Sequence, residues 1–300
     1  MSIAISLPSG ATAKIAGLEV WMGKTLERVG DLRPDWEADD VHGVRVALRR
    51  CRTMAETLRE VNPDPRWRKL KKQSKQLFHS LGDLRDAQVE LEWIRKLGQP
   101  GDAVRKHMLR VLGRRERKCL QAAELALDGF DRKAWRKLCR KLSDKARFFP
   151  LESVVFQRQA LRKLNEAVAL YQKARRHPSS IRWHRTRIGV KQFRYIVENF
   201  LPERYEVWAN DMKQMQDLLG DVHDLDVLRE DIEKQSAKLA PVDMRMWFEK
   251  IENERKARLA EFRAKTSEKN SPWLVWRSGF QWGHQLIAAS MPEPRAAQAS

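Results

Sequence analysis

His42, Arg45, Arg49 and Arg52 stand at i, i+3, i+7 and i+10. At 100° per residue they fall within roughly 80° of one helix face, so four groups able to carry positive charge share one side. His184, Arg187, Lys191 and Arg194 repeat the spacing 142 residues later, with a lysine at the third place. A second signature follows each row. Leu81-Gly82-Asp83-x-x-Asp86 returns as Leu219-Gly220-Asp221-x-x-Asp224, 138 residues further on. Two signatures repeated in one order at nearly one offset indicate an internal duplication.

Such rows suit an anion. Like charges one turn apart repel by a few tenths of a kcal/mol per pair. Neither row contains an acid, and Glu56 lies one turn beyond Arg52. Keeping the arrangement twice implies that a bound anion, or facing carboxylates, offsets the repulsion. Asp83, Asp86, Asp221 and Asp224 are the natural internal partners. His42 and His184 lead the rows and read as hydrogen-bond donors to phosphate oxygens, which would favour the imidazolium form. His223 stands where Arg85 stands in the first half, and Lys213 matches Lys75. A further row, Lys71, Lys75, Phe78, Gly82 and Arg85, shares one helix face. Gly82 inside a helix costs about 0.5–1 kcal/mol against Ala, which points to close approach by a neighbouring helix or a ligand. His79, His107, His177 and His284 lack this support and read as structural.

Other chemistries find little footing. No Ser or Cys nucleophile accompanies the histidines, and no P-loop, dinucleotide fingerprint or zinc-protease helix occurs. His223, Asp221, Asp224 and Asp226 are dense enough to attract Mg²⁺, but acids crowd helices without metals, and no metal or cofactor is assigned. Trp21, Trp67, Trp93, Trp135 and Trp208 are dispersed and read as packing between helices. RNA readers interleave aromatic and basic residues, and only Trp183 beside His184, with Phe193 and Tyr195 nearby, hints at that. Phe193 reads as core.

The elements that must position the rows are helices. Apolar periodicity predicts helices over 11–29, 39–61, 66–97, 102–128 and 131–147. Ile15, Leu18, Met22 and Leu26 form the first stripe, with Gly30 and Arg33-Pro34 as its stop. Leu70, Leu77, Leu81 and Leu84 form the stripe of the long third helix, after a turn at Asn62-Pro63-Asp64-Pro65. The second half predicts helices over 152–176, 180–200, 204–238, 242–267 and 272–289. No segment alternates as a strand does. The expected fold is all-α: two antiparallel helical bundles, a duplicated four-helix bundle with pseudo-twofold symmetry. Residues 1–150 and 151–290 form its halves, and 291–300 read as a disordered tail.

Composition agrees. The 300 residues carry 59 Lys+Arg against 40 Asp+Glu, a net charge of +19 that favours polyanionic partners. No run approaches a membrane span, and MSIAISLPSG lacks the features of a secretion signal, so a cytoplasmic location is expected. Cys51, Cys119 and Cys139 have neither CxxC nor zinc spacing and read as packed thiols.

The rows H-x-x-R-x-x-x-R-x-x-R at His42 and H-x-x-R-x-x-x-K-x-x-R-Y at His184, each followed by L-G-D-x-x-D, resemble the CHAD family, the conserved-histidine α-helical domain. The resemblance spans about residues 12–290. It implies a helical domain of two four-helix bundles whose basic central groove binds inorganic polyphosphate. It further implies association with polyphosphate granules and no catalysis. The family's basic positions fall on His42, Arg45, Arg49, Arg52 and Arg85, and on His184, Arg187, Lys191, Arg194 and His223, with Lys75 and Lys213 as an extension. Members are often joined to a triphosphate-tunnel (CYTH) domain, but no ExExK start is present, so triphosphatase activity is not carried over. The alternatives are a nucleic-acid or nucleoid-associated protein, for which polyphosphate would compete poorly, and an accessory to a phosphate-polymer enzyme.

Overall fold

The computed structural model describes residues 17–32, 38–146, 148–267 and 271–280. Among these the fold is all-α. The elements are α1 (Leu18–Asp31), α2 (Ala38–Val61), α3 (Pro65–Gln73), α4 (Lys75–Leu97), α5 (Ala103–Asp128) and α6 (Arg132–Ala146). They continue with α7 (Val154–Arg176), α8 (Ser180–Phe200), α9 (Pro202–Glu233), a 3-10 turn (Ser236–Lys238), α10 (Pro241–Ser267) and α11 (Pro272–Ser278). The stretch 11–16 with Ile15, the Arg33-Pro34 stop, His284, the far end of the 272–289 helix and the 291–300 tail lie outside the described residues. Gly30 was expected to stop the first helix, but α1 continues to Asp31.

By compactness the chain forms two units. One holds Met1–Val89, Val111–Phe156 and Glu198–Pro202, and the other holds Glu90–Arg110, Gln157–Val197 and Glu203–Ser300. The units follow compactness, whereas the halves at 150 follow sequence repetition.

In the first unit α1 packs on α2 and α6, and α3 packs on the same two helices. Trp135 donates its indole N–H to the Met22 carbonyl at 3.1 Å, tying α6 to α1. Asp64 caps α3 by accepting from the Arg66 backbone N–H at 2.8 Å, with Pro65 pre-set for the first turn. Its carboxyl sits well below the usual range, chiefly through the Arg66 side chain, with Lys145 of α6 at 2.7 Å. Leu70, Leu77, Leu81 and Leu84 are fully buried, as their spacing predicts.

The predicted helix over 66–97 is in fact two, broken at Ser74. Ser74 turns its hydroxyl back onto the Leu70 carbonyl at 3.0 Å. Arg52 then enters the break, donating to the Lys71 carbonyl at 2.7 Å and to Ser74 Oγ at 2.9 Å. The Lys71 carbonyl, which a continuous helix would pair with the Lys75 N–H, thus finds a charged donor.

In the second unit, Asp102 accepts the Arg105 backbone N–H at 3.0 Å and the Trp247 indole N–H at 2.8 Å. Gly189 lets α8 approach α7, since a Cβ there would stand 3.1 Å from Ala167 Cα. Tyr171 donates to or accepts from Thr266 at 2.8 Å within a cluster holding Trp183, Phe262 and Trp273. Trp67, Trp93, Trp135, Trp183, Trp208 and Phe193 are buried, so they pack rather than present a stacking platform. Trp21 is half-buried under the cations of Lys24 and Arg50. All three cysteines are free thiols, and burial pushes Cys51 up to about 12.

Candidate functional site

The rows take their direction from the apolar stripes beside them. On α2, Val41, Val44, Leu48, Cys51 and Ala55 are buried, and His42, Arg45, Arg49 and Arg52 each follow one position later. On α8, Trp183, Thr186, Val190, Phe193 and Val197 are buried, and His184, Arg187, Lys191 and Arg194 follow in the same way. The 100° step places each row along the rim of its helix's buried face. His42 is exposed and the other seven are half-buried, so their apolar stems pack while their charged ends reach outward.

In the first unit Arg45 lies across Gly82 of α4. A Cβ on Gly82 would meet its Nη1 at 2.9 Å, so the neighbour anticipated for this glycine is a side chain of the row itself. Phe78 supports two guanidinium groups, with the Arg45 and Arg52 carbons 5.9 and 4.7 Å from its ring centre. The His42 imidazole is held below its ordinary pKa by partial desolvation of its ring beneath an exposed edge, then by the positive charges of Arg49, Arg85 and Arg45, with Asp39 opposing them. Those charges gather His42, Arg45, Arg49 and Arg85 into one cluster. Arg52 belongs to the helix break, and Lys75 stands exposed on α4. Glu56 pairs with Lys71 of α3. Arg50, next to the row, shows the ordinary fate of a helix arginine: it pairs with Glu198 and donates to Asn199 at 3.3 Å.

In the second unit His184 and His223 meet, Nδ1 to Nδ1, at 3.2 Å, with ring centres 4.5 Å apart. One ring must donate and the other accept, so at least one is neutral in this geometry. Burial, then Arg187, His184 and Lys191, push His223 down to about 4. His223 therefore takes up a proton less readily than a solvent-exposed histidine. Burial, then Arg187 and Lys191, also lower His184, with Asp226 opposing. His184, Arg187, Lys191 and His223 thus form the second cluster. Arg194 turns to the Tyr205 hydroxyl at 3.4 Å. Lys213 stands exposed and paired with Asp217 at 2.6 Å.

The acids play another part. Asp221 faces Arg258 of α10 at 3.1 Å, and Asp226 faces Arg255 at 2.7 Å. Asp221 was expected to neutralise the row, but α10 supplies its cation. Among the described residues no group of three or more His, Cys, Asp or Glu is placed to hold a metal ion. His107 bonds Gln235 at 3.3 Å, while His79 and His177 are exposed. Ser74 and Tyr205 have no sequence signal that would have singled them out.

The family model of the CHAD domain matches residues 22–233. The chain belongs to the CHAD domain family. Both rows of this CHAD chain lie inside the match, which ends with α9, so α10 and α11 lie beyond it. The CHAD domain from the plant Ricinus communis is similar in structure, with a TM-score of 0.54 at 21% identity over 93% of this chain and 95% of that one. PptA from Streptomyces chartreusis matches with a TM-score of 0.59 at 15% identity, covering 90% and 97%. At these identities the likeness speaks for the fold. No curated protein matches the sequence. Among the described residues no helix is long and apolar enough to cross a membrane.

Proposed function

We propose that this CHAD chain binds inorganic polyphosphate through its two basic rows, as a binding protein without turnover, and is carried to polyphosphate granules by that binding. The observation that supports this reading is the repetition itself. The same spacing of His, Arg and Lys stands in the same register to a buried stripe on α2 and on α8. Family membership adds weight, since CHAD domains are linked with polyphosphate.

The chemistry suits the ligand. Arg forks give charge-assisted, paired hydrogen bonds to phosphate oxygens, while Lys191 adds a point charge. His42, His184 and His223 offer N–H donors and take up protons when phosphate charge replaces the repulsion of neighbouring cations. A repeating phosphate chain presents no bases, so recognition rests on charge density. Both rows are assigned to one polymer, so variants in the two rows should lose more together than either loses alone.

The test is competition at equal phosphate concentration between polyphosphate, duplex DNA and RNA for the purified protein. Polyphosphate should hold its place against both nucleic acids. Its affinity should fall on the order of a thousandfold between 50 and 200 mM salt if about six phosphates are engaged. Preference for duplex DNA, or affinity flat across the salt series, would contradict the proposal.

A further inference from the structure

We infer that a pocket between α7, the end of α10 and α11 is a separate binding site for a small organic phosphate, a nucleoside phosphate above others. The cavity has a volume of about 400 Å³, within the range of small-molecule sites. Three cations line it: Arg175 and Arg176 from the last turn of α7, and Arg277 from α11. None of its described lining residues is an Asp or Glu, so the pocket carries concentrated, one-signed charge. Asn165 accepts from Arg277 Nη2 at 3.0 Å and holds that guanidinium beside α7.

The rest of the wall is mixed: Gln172, Ser267 and Ser271 are polar, while Tyr171, Trp273 and Leu274 are aromatic or apolar. Tyr171 and Trp273 stack with centres 5.9 Å apart and planes 29° from parallel, and Thr266 fixes the Tyr171 hydroxyl. Leu274 is 55% exposed and forms an apolar lip. Guanidinium groups select phosphate, while the aromatic and aliphatic wall selects a flat apolar body. A ligand offering both is a nucleoside phosphate. A sugar phosphate would satisfy the arginines alone.

None of these residues belongs to the basic rows, so the inference stands whether or not the polyphosphate reading does. Calorimetry on the full chain with ATP, glucose 6-phosphate and inorganic phosphate tests it. One ATP per chain should bind at least tenfold more tightly than the other two. The Arg175→Ala, Arg277→Ala double variant and the separate Leu274→Asp variant should each weaken ATP at least tenfold with unchanged melting temperature. Arg45→Ala with Arg187→Ala should leave ATP binding intact. Loss of ATP binding only in the Arg45, Arg187 pair would assign the ligand to the rows and overturn the inference. So would glucose 6-phosphate binding as tightly as ATP, or no saturable binding by any of the three.

Discussion

In the first unit Arg45 lies across Gly82 and Arg52 closes a break between α3 and α4. In the second unit the matching helix, α9, runs unbroken past a Gly220 that has nothing within 4 Å of its missing Cβ. There the cation at the Arg85 position is replaced by His223, which meets His184. The two rows share spacing and register, yet the first is braced by its neighbouring helix and the second is tuned by an imidazole pair. A duplicated pattern therefore preserves which residues point outward, while each copy's neighbours decide what those side chains touch and how readily the histidines take up a proton.

Arg52 offers the sharpest way to break the comparison. Arg52→Ala would strip the Lys71 carbonyl and Ser74 hydroxyl of their charged donor, at a cost of about 1–3 kcal/mol. Thermal unfolding should show a Tm lower by several degrees, before any effect on binding is considered. An unchanged Tm would mean that the break holds without Arg52.

The imidazole pair predicts a pH dependence peculiar to the second unit. His223 is depressed in the folded chain, so its neutral form supports folding fully above the unfolded pKa near 6.5. That support is lost as pH falls from about 6.5 toward about 4. A bound polyanion favours the imidazolium, so polyphosphate affinity should rise over the same interval, by up to about tenfold per pH unit for each proton taken up. His223→Gln should flatten the rise in a titration series. Equal slopes in both proteins would remove His223 from the binding face.

The glycines give the smallest effect and the cleanest contrast. Gly220→Ala places a methyl in open space and removes a helix-interior glycine, so it should stabilise by about 0.5–1 kcal/mol. Gly82→Ala gains the same helix preference but drives Arg45 Nη1 from its seat, so it should weaken polyphosphate binding, with Gly220→Ala neutral in that assay.

Much of this architecture could be read from spacing, because spacing is local. The helices carrying the rows, the Leu70, Leu77, Leu81 and Leu84 stripe, and the crowding at Gly82 all follow from positions within one or two turns. The break at Ser74 did not show, because no Gly or Pro marks it and its brace comes from Arg52, 22 residues earlier. The lowered pKa of His223 was equally hidden, since it depends on burial and on Arg187, His184 and Lys191 of another helix. The pairing of Asp221 with Arg258 was hidden too, because its cation comes from α10, 37 residues further along the chain.

The most direct test of the central claim is polyphosphate binding by Arg45→Ala with Arg187→Ala, one row residue from each unit, beside the wild type at low salt. Each guanidinium that bonds phosphate contributes about 1.5–3 kcal/mol, so the double variant should bind at least a hundredfold more weakly while its helicity and Tm stay at wild-type values. A folded double variant that binds polyphosphate as tightly as the wild type would show that the duplicated rows are not the binding surface.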